Sequence, residues 1–222
     1  MLGAGSARSA YNCAPNNTFF VCHAGCMGKI KHVVVRDRRL MGGVPARDYY
    51  HIVNVSGSVS NNRVFSAVRN LGRHEALDCV YILCHGFAGS NPSLGVSIDA
   101  GGMGLQLGKE LLLHGNVHRW QAIQGCAKNI IVYSCAAANT ESGNEGTRAD
   151  GRYLMGALAI HTGADVYAAD RIQWYHTWNG LSNGRFDFGN WEGRVYCFHP
   201  DGTQELALSF PHNLTTLMVN GP

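Results

Sequence analysis

The chain has 222 residues, 45% of them hydrophobic and 15% charged, with 28 glycines. That length suits one α/β domain that buries a substantial core without metal or disulfide staples. A net charge of +3 is too small to imply nucleic-acid binding, and the basic residues are scattered, with Arg36, Arg38 and Arg39 the one tight group.

No apolar stretch approaches the ~20 residues needed to cross a bilayer, so no membrane partner is expected. Residues 1–28 are small, polar and irregular and are expected to form an N-terminal extension, followed by a single domain over 29–222. The opening Met1-Leu2-Gly3-Ala4-Gly5-Ser6 has no basic segment leading into an apolar one. This predicts a cytoplasmic protein, or one exported without a cleaved signal, with its eight cysteines reduced. Cys13, Cys22, His23 and Cys26 contain one tight pair, where zinc sites usually show two. Ordinary thiols are the expectation there, and no metal.

Lys31–Arg36 and His51–Ser56 read as strands, with Gly42-Gly43-Val44-Pro45 supplying a turn between them. Asn61-Asn62 could start a helix through Val64–Arg69 that Gly72 closes. Asp78–Cys84 is a continuous apolar run ending in His85-Gly86. The glycine-rich stretch 86–108 then fits a hairpin or lid better than a helix. Val117–Ile123 looks helical, Asn129–Ser134 is a second apolar run ending in Cys135, and a polar loop 139–150 leads into a helix over Arg152–His161. Thr162-Gly163 ends that helix and launches the buried strand Ala164–Ala169. Arg194–Phe198 and Glu205–Phe210 around the Asp201-Gly202 turn read as a C-terminal β-hairpin. Alternating strands and helices predict an α/β fold, a mainly parallel sheet with helices on both faces.

Two of these strands end in reactive side chains. Ligands of open α/β sheets sit beyond the carboxyl ends of the strands, so His85 and Cys135 can share one crevice, as a base and a thiol nucleophile must. The thiolate is the attacking species, and an imidazole raises its population by taking the proton. Gly86 lets a backbone amide approach a substrate carbonyl, and the Cys135 amide could be a second oxyanion donor. Small residues Ala136-Ala137-Ala138 leave the thiol open to a peptide. The alternative is an inert core thiol beside a strand-end histidine. Gly180-Leu181-Ser182-Asn183-Gly184 spells a serine-hydrolase elbow without its strand and helix. No glycine loop ends in the Gly-Lys-Ser/Thr of a phosphate cradle. Asn213-Leu214-Thr215 is a formal glycosylation site only.

At these residues the chain resembles the caspase-like cysteine peptidases, a group that includes separases, gingipains and bacterial CHAT domains. His85 and Cys135 stand 50 residues apart, close to the caspase separation. The nearest likeness is to caspase-like domains in large bacterial surface and repeat proteins. Their Ser-His-Gly, Tyr-Gly-Cys and Leu-Thr-Gly-Ala-Asp-Val-Ala-Ala-Ser segments are matched in order by Cys84-His85-Gly86, Tyr133-Ser134-Cys135 and His161–Asp170, and Gly104–Gly108 matches a short intervening segment. The resemblance covers about residues 51–200. It implies a caspase-like fold and a thiol protease, a hydrolase acting on a protein or peptide substrate without a cofactor. It implies Cys135 as nucleophile, His85 as base and acid, and Gly86 as oxyanion donor. It further implies that Asp170 lines the pocket for the side chain before the cleaved bond, where a carboxylate would favour arginine or lysine. A solvated strand-end aspartate or a helix cap is the alternative. Cys84 stands where the family has serine and Gln-Ala-Cys-x-Gly is absent, so caspase substrate preference does not carry over. The rival expectation is a catalytically silent caspase-like module that binds a protein partner. The 86–108 and 139–150 loops, which flank both strand ends, are expected to gate the site.

Overall fold

The structure, a computed structural model, describes residues 30–87, 101–173, 176–177, 186–187, 191–209 and 213–220. The expected N-terminal extension, its Cys13/Cys22/His23/Cys26 group and the Gly180–Gly184 elbow lie outside these residues.

Its frame is a seven-stranded sheet. Strands β1 (His32–Asp37), β2 (Tyr50–Val55), β3 (Leu77–Leu83), β6 (Ala127–Tyr133) and β7 (Asp165–Ala169) pair in parallel in the order β2-β1-β3-β6-β7. Antiparallel β10 (Val195–Phe198) and β11 (Gln204–Leu206) extend it beyond β7 as the expected hairpin. Two small ribbons stand apart: β4 (His85–Phe87) with β5 (Gly104–Gln106), and β8 (His176–Thr177) with β9 (Phe186–Asp187). The mainly parallel α/β architecture is therefore as expected. No helix among the described residues is long and apolar enough to cross a membrane.

The unbroken apolar runs follow from burial on both faces. Along β3, Val80 and Ile82 enter one core with Val33 and Val35 of β1 and Ile130 and Val132 of β6. Cys79, Tyr81 and Leu83 alternate with them into a second core, beside Val34, Ile131 and Tyr133. The first core is covered by helix α1 (Asn62–Gly72), helix α2 (Gly151–Thr162) and a 3-10 helix over Val117–Ile123. The second is covered by the segment after β1 and by helix α3 (Leu214–Asn220). Right-handed crossovers demand this division, because β1 to β2 runs one way along the sheet and all later parallel steps run the other.

Val117–Ile123 is helical with a tighter pitch than an α-helix. Val117, Trp120 and Ile123 are its buried residues, spaced by three, and a 3-10 helix stacks that spacing along one edge. Helix α2 begins and ends on sequence signals. The Asp150 carboxylate accepts the Tyr153 amide, and Gly163 closes the helix at a φ of 66°, a conformation open to glycine at no steric cost. Of the expected strand Glu205–Phe210, the structure keeps β11, all three residues exposed at the sheet edge.

Candidate active site

The strand order β2-β1-β3 reverses direction at β1, so the crevice beyond the carboxyl ends opens between β1 and β3. Asp37 and Arg39 sit at its β1 side, and Cys84 and His85 at its β3 side. One strand over, Cys135 follows β6. Leu83 is in register with Tyr133, and the Cys84 amide donates to the Tyr133 carbonyl at 3.4 Å. His85, Gly86 and Cys135 thus leave neighbouring strands side by side.

Gly86 packs directly on the turn that carries Cys135. A Cβ there would collide with the Cys135 carbonyl and lie 3.1 Å from the Ser134 hydroxyl, so only glycine fits. Leu105 exchanges both its backbone hydrogen bonds with Leu112, at 2.9 and 3.0 Å, so its pairing with Gly86 carries none. The Gly86 N–H is therefore turned away from β5. After Cys135 the chain reverses at Ala136, held in the left-handed region at a φ of 48°. Such a residue costs about 1 kcal/mol or more. The Ala136 amide donates to Arg171 at 2.8 Å and its carbonyl accepts the Asn139 amide at 3.0 Å, which fixes the turn.

The His85 ring is anchored by a backbone group. Its Nε2 lies 3.3 Å from the Arg39 carbonyl. A carbonyl only accepts, so Nε2 carries the proton and Nδ1 is the basic nitrogen of the neutral ring. Arg39 is itself locked to Asp37, which is fully buried. The carboxylate accepts Arg39 Nε at 2.8 Å, Nη2 at 2.6 Å, its amide at 3.0 Å, and the Gly108 amide at 2.9 Å. Arg39 Nη2 also donates to the carbonyls of Gln106 and Gly108. Burial alone would raise the Asp37 carboxyl, but these bonds and the guanidinium charge outweigh it and hold it below the usual carboxylate range. Asp37 and Arg39 were not singled out as site residues from sequence; the Asp-x-Arg just past an apolar strand was the available signal.

The half-buried Cys135 thiol donates to the Gln173 carbonyl at 3.7 Å. Gln173 ties the neighbouring wall together, its amide reaching the carbonyls of Arg171 and Glu192 at 2.9 and 2.8 Å. Among the other described cysteines, burial pushes the Cys79 and Cys84 thiols up to about 12 and raises those of Cys126 and Cys197.

Asp170 directly follows β7 and is 9% exposed. Its carboxylate accepts Arg194 twice, from the amide at 2.9 Å and from Nε at 3.0 Å. It lines a cavity of about 540 Å³ with Asn139, Glu141, Arg171, Glu192 and Arg194. This cavity adjoins the Cys135 turn through the bonds of Arg171 and Gln173. Asp170 is thus neither solvated nor a helix cap. It clamps β7 to the residue before β10 while facing a pocket with two further carboxylates.

Loop 139–150 is stitched to α2, with Asp150 accepting Thr140 Oγ1 at 2.6 Å and the Gly146 amide at 2.7 Å. His114 is half-buried: its ring stacks on Tyr153 with centroids 5.3 Å apart, and its Nε2 bonds to the Asp150 carbonyl. No protein-family model matches the chain, and no curated protein or solved structure matches it significantly.

Proposed function

We propose that this protein is a caspase-like cysteine endopeptidase. The observation that carries the reading is the packing of Gly86 on the Cys135 turn, with the His85 ring anchored through Nε2 on the Arg39 carbonyl. It leaves a thiol, a basic imidazole nitrogen and a backbone N–H at one crevice, the set that acyl transfer requires.

In this reading His85 Nδ1 takes the Cys135 proton. An anionic sulfur cannot donate, so its bond to the Gln173 carbonyl ends there. The thiolate attacks the peptide carbonyl carbon, and the Gly86 and Cys135 amides receive the oxyanion. As the C–N bond breaks, His85 returns its proton to the leaving amine, and a thioester remains on Cys135. Water, deprotonated by His85, displaces the thiol and releases the acid. The Arg39 carbonyl steadies the imidazolium at its far nitrogen, as a positioning group. Asp170, Glu141 and Glu192 supply negative charge for a basic side chain before the scissile bond, with Arg194 as the resident partner that such a substrate displaces.

The test is a positional-scanning fluorogenic peptide library under reducing conditions. Wild type should cleave after arginine or lysine, and Cys135→Ala and His85→Ala should each lose at least about 10³-fold in turnover. Arg194→Ala should sharpen the basic preference. Turnover surviving in Cys135→Ala would refute the nucleophile. Silence from every protein, with Cys135 alkylating no faster than the buried thiols, would instead mark a binding module.

A further inference from the structure

The opposite end of the sheet holds a second group of reactive side chains that the peptidase chemistry does not use. Antiparallel pairing sets Cys197 of β10 opposite Tyr167 of β7 on one side and Glu205 of β11 on the other. One step along the same face, His199 meets Asp165, the first residue of β7, with Nδ1 2.9 Å from the Asp165 carboxylate. The Cys197 sulfur lies 3.9 Å from that same Nδ1. The three donor atoms all fall within 4.8 Å of one another. Directly opposite residues on neighbouring strands share a face, as do residues two apart along a strand. Strand register therefore gathers the group without any loop.

We infer that Asp165, Cys197 and His199 form a zinc-binding site that joins β7 to the C-terminal hairpin. One carboxylate oxygen, one imidazole nitrogen and one sulfur suit zinc, whereas calcium and magnesium take oxygen alone. Tetrahedral bonds of ordinary zinc length separate nitrogen from oxygen by about 3.4 Å and sulfur from nitrogen by about 3.6 Å. The present 2.9 and 3.9 Å reach those values by shifts of about half an ångström.

Outer partners of the kind that orient metal ligands surround the group. The far nitrogen of His199 lies 3.8 Å from the Glu205 carboxylate, and Tyr167 stands directly opposite Cys197 in the β7–β10 pairing. Asp165 and His199 are about one-third exposed, which gives an ion its way in and leaves the fourth position to water. Cys197, 2% exposed, supplies the buried ligand. The site stands some 16 Å from the Cys135 end, five residues of strand at about 3.3 Å each. Its role is a clamp on the hairpin, remote from peptide hydrolysis.

Cobalt(II) added to the chelator-stripped full chain is the probe, read by its thiolate-to-metal absorption in the near ultraviolet. One equivalent should bind with that band. The band should survive Cys135→Ala, and also a triple Cys13→Ser, Cys22→Ser, Cys26→Ser variant. It should vanish in Cys197→Ser. Asp165→Asn, conservative and about one-third exposed, should weaken binding by more than tenfold. No band in wild type would mean an Asp165–His199 ion pair only and overturn the inference. A band that persists in Cys197→Ser, or that disappears with Cys135 or the N-terminal cysteines, overturns it as well. If Cys197→Ser fails to fold, unchanged cobalt affinity in Asp165→Asn overturns it independently.

Discussion

Gly86 is the residue on which the site geometry turns, because its missing side chain is what lets the β4 backbone rest on Cys135. Gly86→Ala should lower stability by about 1–3 kcal/mol through overpacking, read as a fall in denaturant midpoint. It should also cost about 10²-fold in peptide turnover, the usual penalty for misplacing reacting groups by an ångström. Gly57→Ala is the control, since its Cβ would find Arg39 Nη1 at a comfortable 3.6 Å. A variant of Gly86 as stable and active as that control would dissolve the close-packing account. The meeting of His85, Gly86 and Cys135 at neighbouring strand ends was legible in the sequence, because each ends or follows an apolar run. The Arg39 and Gln173 contacts were not, because each acts through a backbone carbonyl, which every residue type possesses.

Helix α2 owes its start to one carboxylate. Asp150 accepts the Tyr153 amide at 3.0 Å while also holding Thr140 and the Gly146 amide. Burial opposes its charge, but these bonds prevail and its carboxyl lies below the usual range. A group lowered in this way stabilises the fold above its unfolded pKa of about 4. That stabilisation is lost as pH falls through the folded value. Asp150→Ala should therefore cost about 1–2 kcal/mol at neutral pH, and urea midpoints of variant and wild type should converge in acid below pH ~4. A constant gap down that range would exclude the ionised cap. At this scale the sequence carried most elements, through capping aspartate, closing glycine and apolar run. The 3-10 segment was readable only as helix, although Val117, Trp120 and Ile123 displayed its period of three.

Across the whole molecule, Asp37 and Arg39 join the end of β1 to the chain at and after the end of β5, and through the Arg39 carbonyl to His85. Removing one partner of a buried ion pair costs about 3–5 kcal/mol, and Asp37→Ala should approach that in chemical denaturation. Lys128→Ala breaks the Lys128–Asp78 pair, 2.7 Å long but with the lysine 58% exposed, and should cost under about 1 kcal/mol. Equal losses would show that the Asp37 lock is not buried in solution. Composition and alternation made the parallel sheet and its terminal hairpin legible. Strand order was not, since the apolar faces of β1, β3 and β6 are near-interchangeable in sequence and only three-dimensional packing distinguishes them.

The helix α3 cover on β6 also sets a timetable. The Leu214 amide bonds to the Tyr133 hydroxyl at 3.3 Å across 81 residues of chain, and Leu214, Leu217 and Met218 are buried beside Val34, Tyr81 and Ile131. During synthesis the earlier segments emerge first. A ribosome therefore extrudes His85 and Cys135 long before the piece that seals the strands behind them, and a chain cut short before residue 214 would hold both side chains while lacking the cover on β6.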